Sequence, residues 1–335
     1  MKDSRNEILQ ISLTITLCML VGRVLSLESS VYLALFPTIL MTKAKDHSWI
    51  GLYNTFKPAF LAAVAALIVT ESFQDHPFII WTISLFFIDM MRRKADNPAK
   101  LGQMIMPLFN WILIVVFAQT SDMDMPDRIR EIFISMVITA LIARAMVALF
   151  PKWRDKPKIM ATKLSLPAAQ QVSYQHRFVS LALIGTGLAI LMNIDLISAT
   201  FCMVPVIAAA SQFSRKMYAE VVSRRFITQI GGCALAVIFS VLMAGHQGVL
   251  LYYAAVLGAL VFAITKLMVT SNVSSRDIHA DALLATVLPI QLYLDSSHLG
   301  LESTFSRAWE LTVTLGILYA AFRLTQYRVF SHQDN

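Results

Sequence analysis

The sequence predicts an all-α integral membrane protein of about twelve transmembrane helices, arranged as two parallel six-helix repeats. Three observations lead there. Of the 335 residues, 57% are hydrophobic and only 15% charged, with a mean hydropathy of +0.63, whereas a soluble domain carries roughly a quarter charged residues. Apolar segments recur along the whole chain, which leaves room for a bundle and its loops and for no soluble domain of ordinary size. The loops alternate between basic and non-basic, and one charged motif occurs once in each half.

In the first half the apolar segments run over 8–25, 31–42, 55–70, 78–91, 104–120 and 129–150. The first follows Lys2 and Arg5, but no small-residue cleavage site comes after Val24 and Leu25, so it reads as a retained helix rather than a signal peptide. The second is short and contains Pro37. The third opens on Lys57-Pro58 and is rich in small residues (Ala62, Ala63, Ala66), which mark close helix contacts. The fifth carries Asn110. In the second half the segments run over 178–194, 197–210, 222–244, 249–268, 282–294 and 305–327, with Pro205 in the short second one, Gly231, Gly232 and Ala236 in the third, and Gln291 in the fifth. The amides of Asn110 and Gln291 either cross-link helices or line a path.

A strict length threshold would keep ten of these segments, since a straight helix needs about 20 residues to cross the hydrocarbon. Loop charge argues for twelve. Alternate loops hold Lys43 and Lys45; then Arg92, Arg93, Lys94 and Lys100; then Lys152, Arg154, Lys156, Lys158 and Lys163; then Arg215, Lys216, Arg224 and Arg225; then Arg276. These are expected in the cytoplasm together with both termini, in a bacterial inner membrane. The loops around Glu28, Asp75, Asp122 with Asp124, Asp195, His246, and Asp295 with Glu302 lack Lys and Arg outside the helix ends and are expected outside. The expected organisation is a membrane half over 1–150, a cytoplasmic linker over 151–173 with Pro151, Pro157 and Pro167, and a second half over 174–335.

The net charge of +7 does not point to nucleic acid, because the basic residues sit in these short clusters. Cys18, Cys202 and Cys233 lie inside apolar segments, without metal-site spacing, and read as small core residues. Asp277-Ile278-His279-Ala280-Asp281 stands alone in a basic loop and makes a poor metal or diphosphate site. No cofactor is expected.

The repeated motif is Arg128-x-x-Glu131 followed by Arg144, which recurs as Arg307-x-x-Glu310 followed by Arg323, all three positions shifted by the same interval. Looser matches join Leu35-Phe36-Pro37 to Met203-Val204-Pro205 and Met106-Pro107-Leu108 to Leu288-Pro289-Ile290. An even number of helices per half makes the repeat parallel, a common build for secondary transporters, in which proline-interrupted short segments at matching positions point to the binding site. The alternative for Pro37 and Pro205 is a kink in a packed helix. Glu131 and Glu310 share a helix face with Arg128 and Arg307 and read either as proton carriers or as interfacial ion pairs. Arg144 and Arg323, about 20 Å further along at 1.5 Å per residue, read either as anion-binding cations or as headgroup anchors.

With these features the chain resembles the fusaric-acid-resistance and aromatic-acid-exporter permeases, in a short branch that lacks their cytoplasmic domains. The resemblance rests on the two six-helix halves, Pro37 and Pro205, and the basic, small-residue third helices beginning Lys57-Pro58-Ala59 and Arg224-Arg225-Phe226. It implies export of small amphipathic, often aromatic, carboxylic acids, commonly alongside a hemolysin-D-type periplasmic adaptor. No Walker-type phosphate loop is present, so the proton gradient is the expected energy source. The expected partners are a small-molecule substrate, membrane lipid, that adaptor and further copies of the chain. Two other functions stay open: an intramembrane enzyme on lipid-linked substrates, disfavoured because the histidines fall in loops, tails or helix ends, and a non-transporting subunit that organises an adaptor.

Overall fold

The computed structural model describes residues 2–44, 46–95, 98–120, 125–151, 174–193, 200, 203–210, 215–246, 248–294 and 300–329. Among them are twelve α-helices and no strand: α1 Lys2–Leu25, α2 Tyr32–Lys43, α3 Trp49–Ser72, α4 Pro77–Lys94, α5 Pro98–Thr120, α6 Met125–Leu149, α7 Tyr174–Leu191, α8 Met203–Ala210, α9 Arg215–Leu242, α10 Leu250–Thr270, α11 Val273–Tyr293 and α12 Leu301–Val329. Each coincides with an expected segment, and several overrun it by a turn or more. Helix geometry does not end where hydrophobicity does, and Lys, Arg and Glu propagate a helix well. Beyond Pro151, the linker lies outside the described residues, as do Cys202 and the loop positions Asp122, Asp124, Asp195 and Asp295.

Six of these helices, α1, α3, α5, α6, α9 and α10, contain stretches long and apolar enough to cross a membrane. Their outward positions are apolar as well: Phe133 and Leu141 on α6 and Leu251 on α10 are exposed, which suits lipid rather than water. The chain is an all-α, multi-pass membrane protein.

Two compact units make up the fold, and each draws on both halves of the chain. The first contains residues 1–58, 126–164 and 228–308; the second contains 59–125, 165–227 and 309–335. In the first unit α1 packs against α2 and α10, and α11 packs against α10 and α2. In the second, α7 packs against α8 and α4, and α5 packs against α4 and α8. The same four partnerships therefore occur in both units when helices are matched six places apart.

Within the first unit, α1 and α6 run antiparallel. Gln10 and Asn6 in the first turns of α1 donate to the Phe150 and Pro151 carbonyls, 2.5 and 2.8 Å away, just past the end of α6, serving acceptors a helix cannot satisfy itself. At the start of α11, Arg276 pairs with Glu7 of α1 and Asp281 with Lys43 of α2, the latter at 3.1 Å. The Asp277–Asp281 stretch expected in a loop is thus helical, and Asp281 serves an ion pair. A run of charges weakens an apolar signal without breaking a helix. Further along, α9 and α11 approach so closely that a Cβ on Gly232 would run into Ala285 and meet the Thr286 nitrogen at 3.0 Å. Close approach through small residues is the usual substitute for the hydrophobic effect inside lipid. Gly231, expected in the same contact, faces open space instead.

The second unit is held by different groups. Arg177 of α7 forks onto Asp89 of α4, with Nε at 2.9 Å and Nη2 at 2.7 and 2.8 Å from the carboxylate, and Arg93 reaches the same carboxylate at 2.7 Å. Trp81 of α4 donates to the Gly185 carbonyl of α7 at 2.9 Å, and Trp111 of α5 donates to Ser84 of α4 at 2.9 Å while stacking on Phe87 at 4.0 Å. Asn110 of α5 donates to the Ala59 carbonyl of α3 at 3.3 Å, so it acts as a cross-link.

Candidate functional site

The two short helices depart from a membrane span in length alone, since both are strongly apolar. At 12 residues α2 extends only about 18 Å against a hydrocarbon core of about 30 Å. It is nonetheless buried nearly all round, Tyr32, Leu33, Ala34, Leu35, Phe36 and Pro37 included, as a helix apolar on every face must be. The eight described residues of α8, Pro205 among them, are all buried. Pro37 and Pro205 therefore sit inside short, protein-enclosed helices in their respective units.

At the head of α6, Pro126 suits the first turn because its missing N–H would have no partner there. The positions Arg128, Glu131 with Ile132, Ser135, Thr139 and Ala143 then follow at helical spacing and are all buried, forming one inward stripe. Arg128 and Glu131 thus point inward together. The Glu131 carboxylate accepts from the Ser29 amide at 2.7 Å and the Glu28 amide at 3.2 Å, both in the turn between α1 and α2. The Arg128 guanidinium stands against the Tyr32 hydroxyl and within electrostatic reach of Glu131 and Glu28. Glu131 is therefore engaged with the α1–α2 turn and is more than a partner for the arginine on its own helix.

From Tyr32 an aromatic ladder continues inward. Its ring stacks on Phe36 one turn later at 5.3 Å, and Phe36 meets Phe56 of α3 edge-on at 5.8 Å. A second cation of the same unit, Arg23, lies over the Tyr253 ring at 4.4 Å, and Tyr253 meets Phe239 edge-on at 5.8 Å. A guanidinium fork at the head of aromatic faces is the set of groups an aromatic carboxylate would engage.

The corresponding residues of α12 are placed differently. Arg307 is fully buried and its guanidinium stands against the Cys233 thiol of α9, while Glu310 is half-buried. Arg144 lies half-buried on α6, beside the inward stripe rather than on it. The side chain of Arg323 lies outside the described residues. Among the described residues no group of three or more His, Cys, Asp or Glu is arranged to hold a metal ion.

Tyr32, Arg23 and the Asp89–Arg177 pair were not singled out in the sequence. Asp89 carried a signal, since an acidic residue within an apolar run such as Phe86-Phe87-Ile88-Asp89-Met90 is costly without a partner. A tyrosine opening an apolar helix carries none, being ordinary at a membrane boundary.

A family described as "Protein of unknown function (DUF2955)" matches residues 7–146, a stretch that runs from α1 to α6. No curated protein and no solved structure matches the chain.

Proposed function

We propose that this chain is a bacterial inner-membrane secondary transporter that uses the proton gradient to export small amphipathic or aromatic carboxylic acids, with a hemolysin-D-type periplasmic adaptor as partner and both termini in the cytoplasm. The observation that carries this reading is the Arg128–Tyr32–Phe36–Phe56 series, a buried cation leading into packed aromatic rings that start on a short helix containing Pro37. Arginine keeps its charge at every relevant pH and offers a carboxylate two parallel hydrogen bonds. Aromatic faces supply shape and dispersion for a ring. The reading is supported by the matching packing partnerships of the two units, the expected mark of a transporter built from a parallel repeat.

On the same reading Arg144 and Arg323, at matching positions of the repeated motif, are anion contacts nearer the cytoplasmic face rather than headgroup anchors. On this reading Arg323→Lys weakens apparent affinity, since the charge stays but the fork is lost, and Arg323→Ala nearly abolishes transport.

The experiment is a deletion strain screened for hypersensitivity to a panel of aromatic acids, dyes and amphipathic drugs, followed by transport of any hit in everted vesicles with an imposed pH gradient. Gradient-dependent uptake that is lost in Arg128→Ala supports the proposal. Growth unchanged against the whole panel, together with gradient-independent vesicle content, refutes export. Unchanged transport of an identified substrate when Arg144→Ala and Arg323→Ala are tested singly would make those two arginines headgroup anchors.

A further inference from the structure

We propose that the exposed groove between α4 and α7 of the second unit binds an anionic phospholipid, its phosphate held by Arg93, Lys94 and Arg177 and its acyl chains flanked by Phe86 and Phe178. The geometry begins with how the two helices run. Asp89 of α4 pairs with Arg177 of α7, Trp81 donates to the Gly185 carbonyl, and a Cβ on Gly185 would collide with Leu85. Contact positions descend on α4 as they rise on α7, so the helices are antiparallel. The last turn of α4, with Arg92, Arg93 and Lys94, therefore lies beside the first turns of α7. Trp81, Leu85 and Asp89, spaced by four, form the stripe of α4 that meets α7.

Each step along a helix turns by about 100°. Phe86 follows Leu85 and Phe178 follows Arg177, and in an antiparallel pair that one step carries both rings to the same side of the contact. Both are exposed. Arg93 and Lys94, about one turn past Asp89, and Tyr174, three positions before Arg177, fall on that side as well, and all three are exposed. Arg92 falls on the other side and is 1% exposed, with its Nη1 donating to the Ala95 carbonyl at 3.1 Å. Arg92 thus serves the end of its own helix, whereas Arg93 and Lys94 head an outward groove whose apolar floor continues to Phe86, about 10 Å along α4.

Charge complementarity selects the occupant. Arg92, Arg93, Lys94 and Arg177 bring four cations to this end of the pair, against Asp89 and, two positions past Lys94 in the sequence, Asp96. Asp96 lies outside the described residues. The Asp89 carboxylate engages Arg177 through Nε and Nη2 and reaches Arg93 as well, but a guanidinium has five donors, so the two arginines keep donors for a second anion. Arg93 is 62% exposed against 17% for Arg177, which makes it the cation a headgroup meets first. Arginine pairs a phosphate through two parallel hydrogen bonds, and basic pockets between membrane helices recruit anionic headgroups. The Tyr174 ring, 5.4 Å from the Arg177 guanidinium, is of the type that sits at headgroup level. A soluble anion would use the cations and leave Phe86 and Phe178 idle; a lipid uses both. The site does not depend on the transport reading.

The test uses the full-length protein in a neutral detergent, titrated with dioleoyl phosphatidylglycerol and with dioleoyl phosphatidylcholine, which has the same chains, while native mass spectrometry counts bound lipid. Phosphatidylglycerol is expected to bind at least ten-fold more tightly than phosphatidylcholine. The double variant Arg93→Gln with Lys94→Gln, which leaves the Asp89–Arg177 pair in place, is expected to lose at least five-fold of that affinity, whereas Lys266→Gln, at an exposed lysine of α10, keeps it. Equal affinity for the two lipids overturns the proposal, as does unchanged phosphatidylglycerol binding in the double variant. Displacement of the lipid by millimolar inorganic phosphate also overturns it, by assigning the cations to a soluble anion. If the double variant does not accumulate, Arg93→Gln alone gives the same decision, with an expected loss of at least two-fold.

Discussion

Arg177 of α7 forks onto Asp89 of α4, an ion pair in which each side chain is 17% exposed and both oxygens of the carboxylate are engaged. The pair links the fourth helix of the first half to the opening helix of the second.

Removing Asp89 leaves the Arg177 guanidinium without its carboxylate, and removing Arg177 leaves Asp89 with Arg93 alone. Asp89→Ala and Arg177→Ala are each expected to destabilise by about 2 kcal/mol, and Arg177→Lys, which keeps charge but not the fork, by less. The double substitution should cost less than the sum of the single ones. Thermal unfolding of the detergent-solubilised protein, read as a double-mutant cycle, checks this; strict additivity would mean that the pair is not coupled.

Adjacent glycines of α9 make a sharper contrast. A methyl group on Gly232 would collide with Ala285 and sit 2.8 Å from its carbonyl carbon, whereas one on Gly231 meets nothing within 4 Å. Gly232→Ala is therefore expected to lower the yield of folded protein by several-fold, while Gly231→Ala leaves it unchanged or slightly raised through better helix propensity. Size-exclusion profiles of the two variants, expressed in parallel, would decide it.

Each compact unit is assembled from both halves of the sequence. Cutting the chain between residues 151 and 174 should therefore give two fragments neither of which accumulates alone, since α1 and α2 would lack α10 and α11, and α7 and α8 would lack α4 and α5. Expressed together, the fragments should co-purify. A stable first fragment by itself would show that its helices fold without the partners they pack against.

Loop charge predicts sidedness, with reporters fused at Asp122 or Ser296 active outside and those at Lys94, Lys156 or Arg276 active in the cytoplasm. A cytoplasmic result at Asp122 would mean that a pair of spans has been misplaced.

The sequence by itself determined the class, the helices and their order. Apolar runs in a chain this poor in charge leave the helix as the only economical way to satisfy backbone groups in lipid, and each described helix from α1 to α12 lies where such a run predicted one. It also marked Arg128 and Glu131 as unusual, because charge within an apolar segment needs a reason. Only the tertiary structure decided what those residues meet. Glu131 engages the Ser29 amide more than a hundred positions away, and backbone amides leave no trace in a sequence. The partition of α1 with α10 and of α7 with α4 was equally hidden. Within lipid every apolar face is satisfied by acyl chains as well as by another helix, so the choice of neighbour falls to steric fit and a few polar contacts. Gly232 against Ala285 and Asp89 against Arg177 are such contacts, and they acquire meaning only once the helices are side by side.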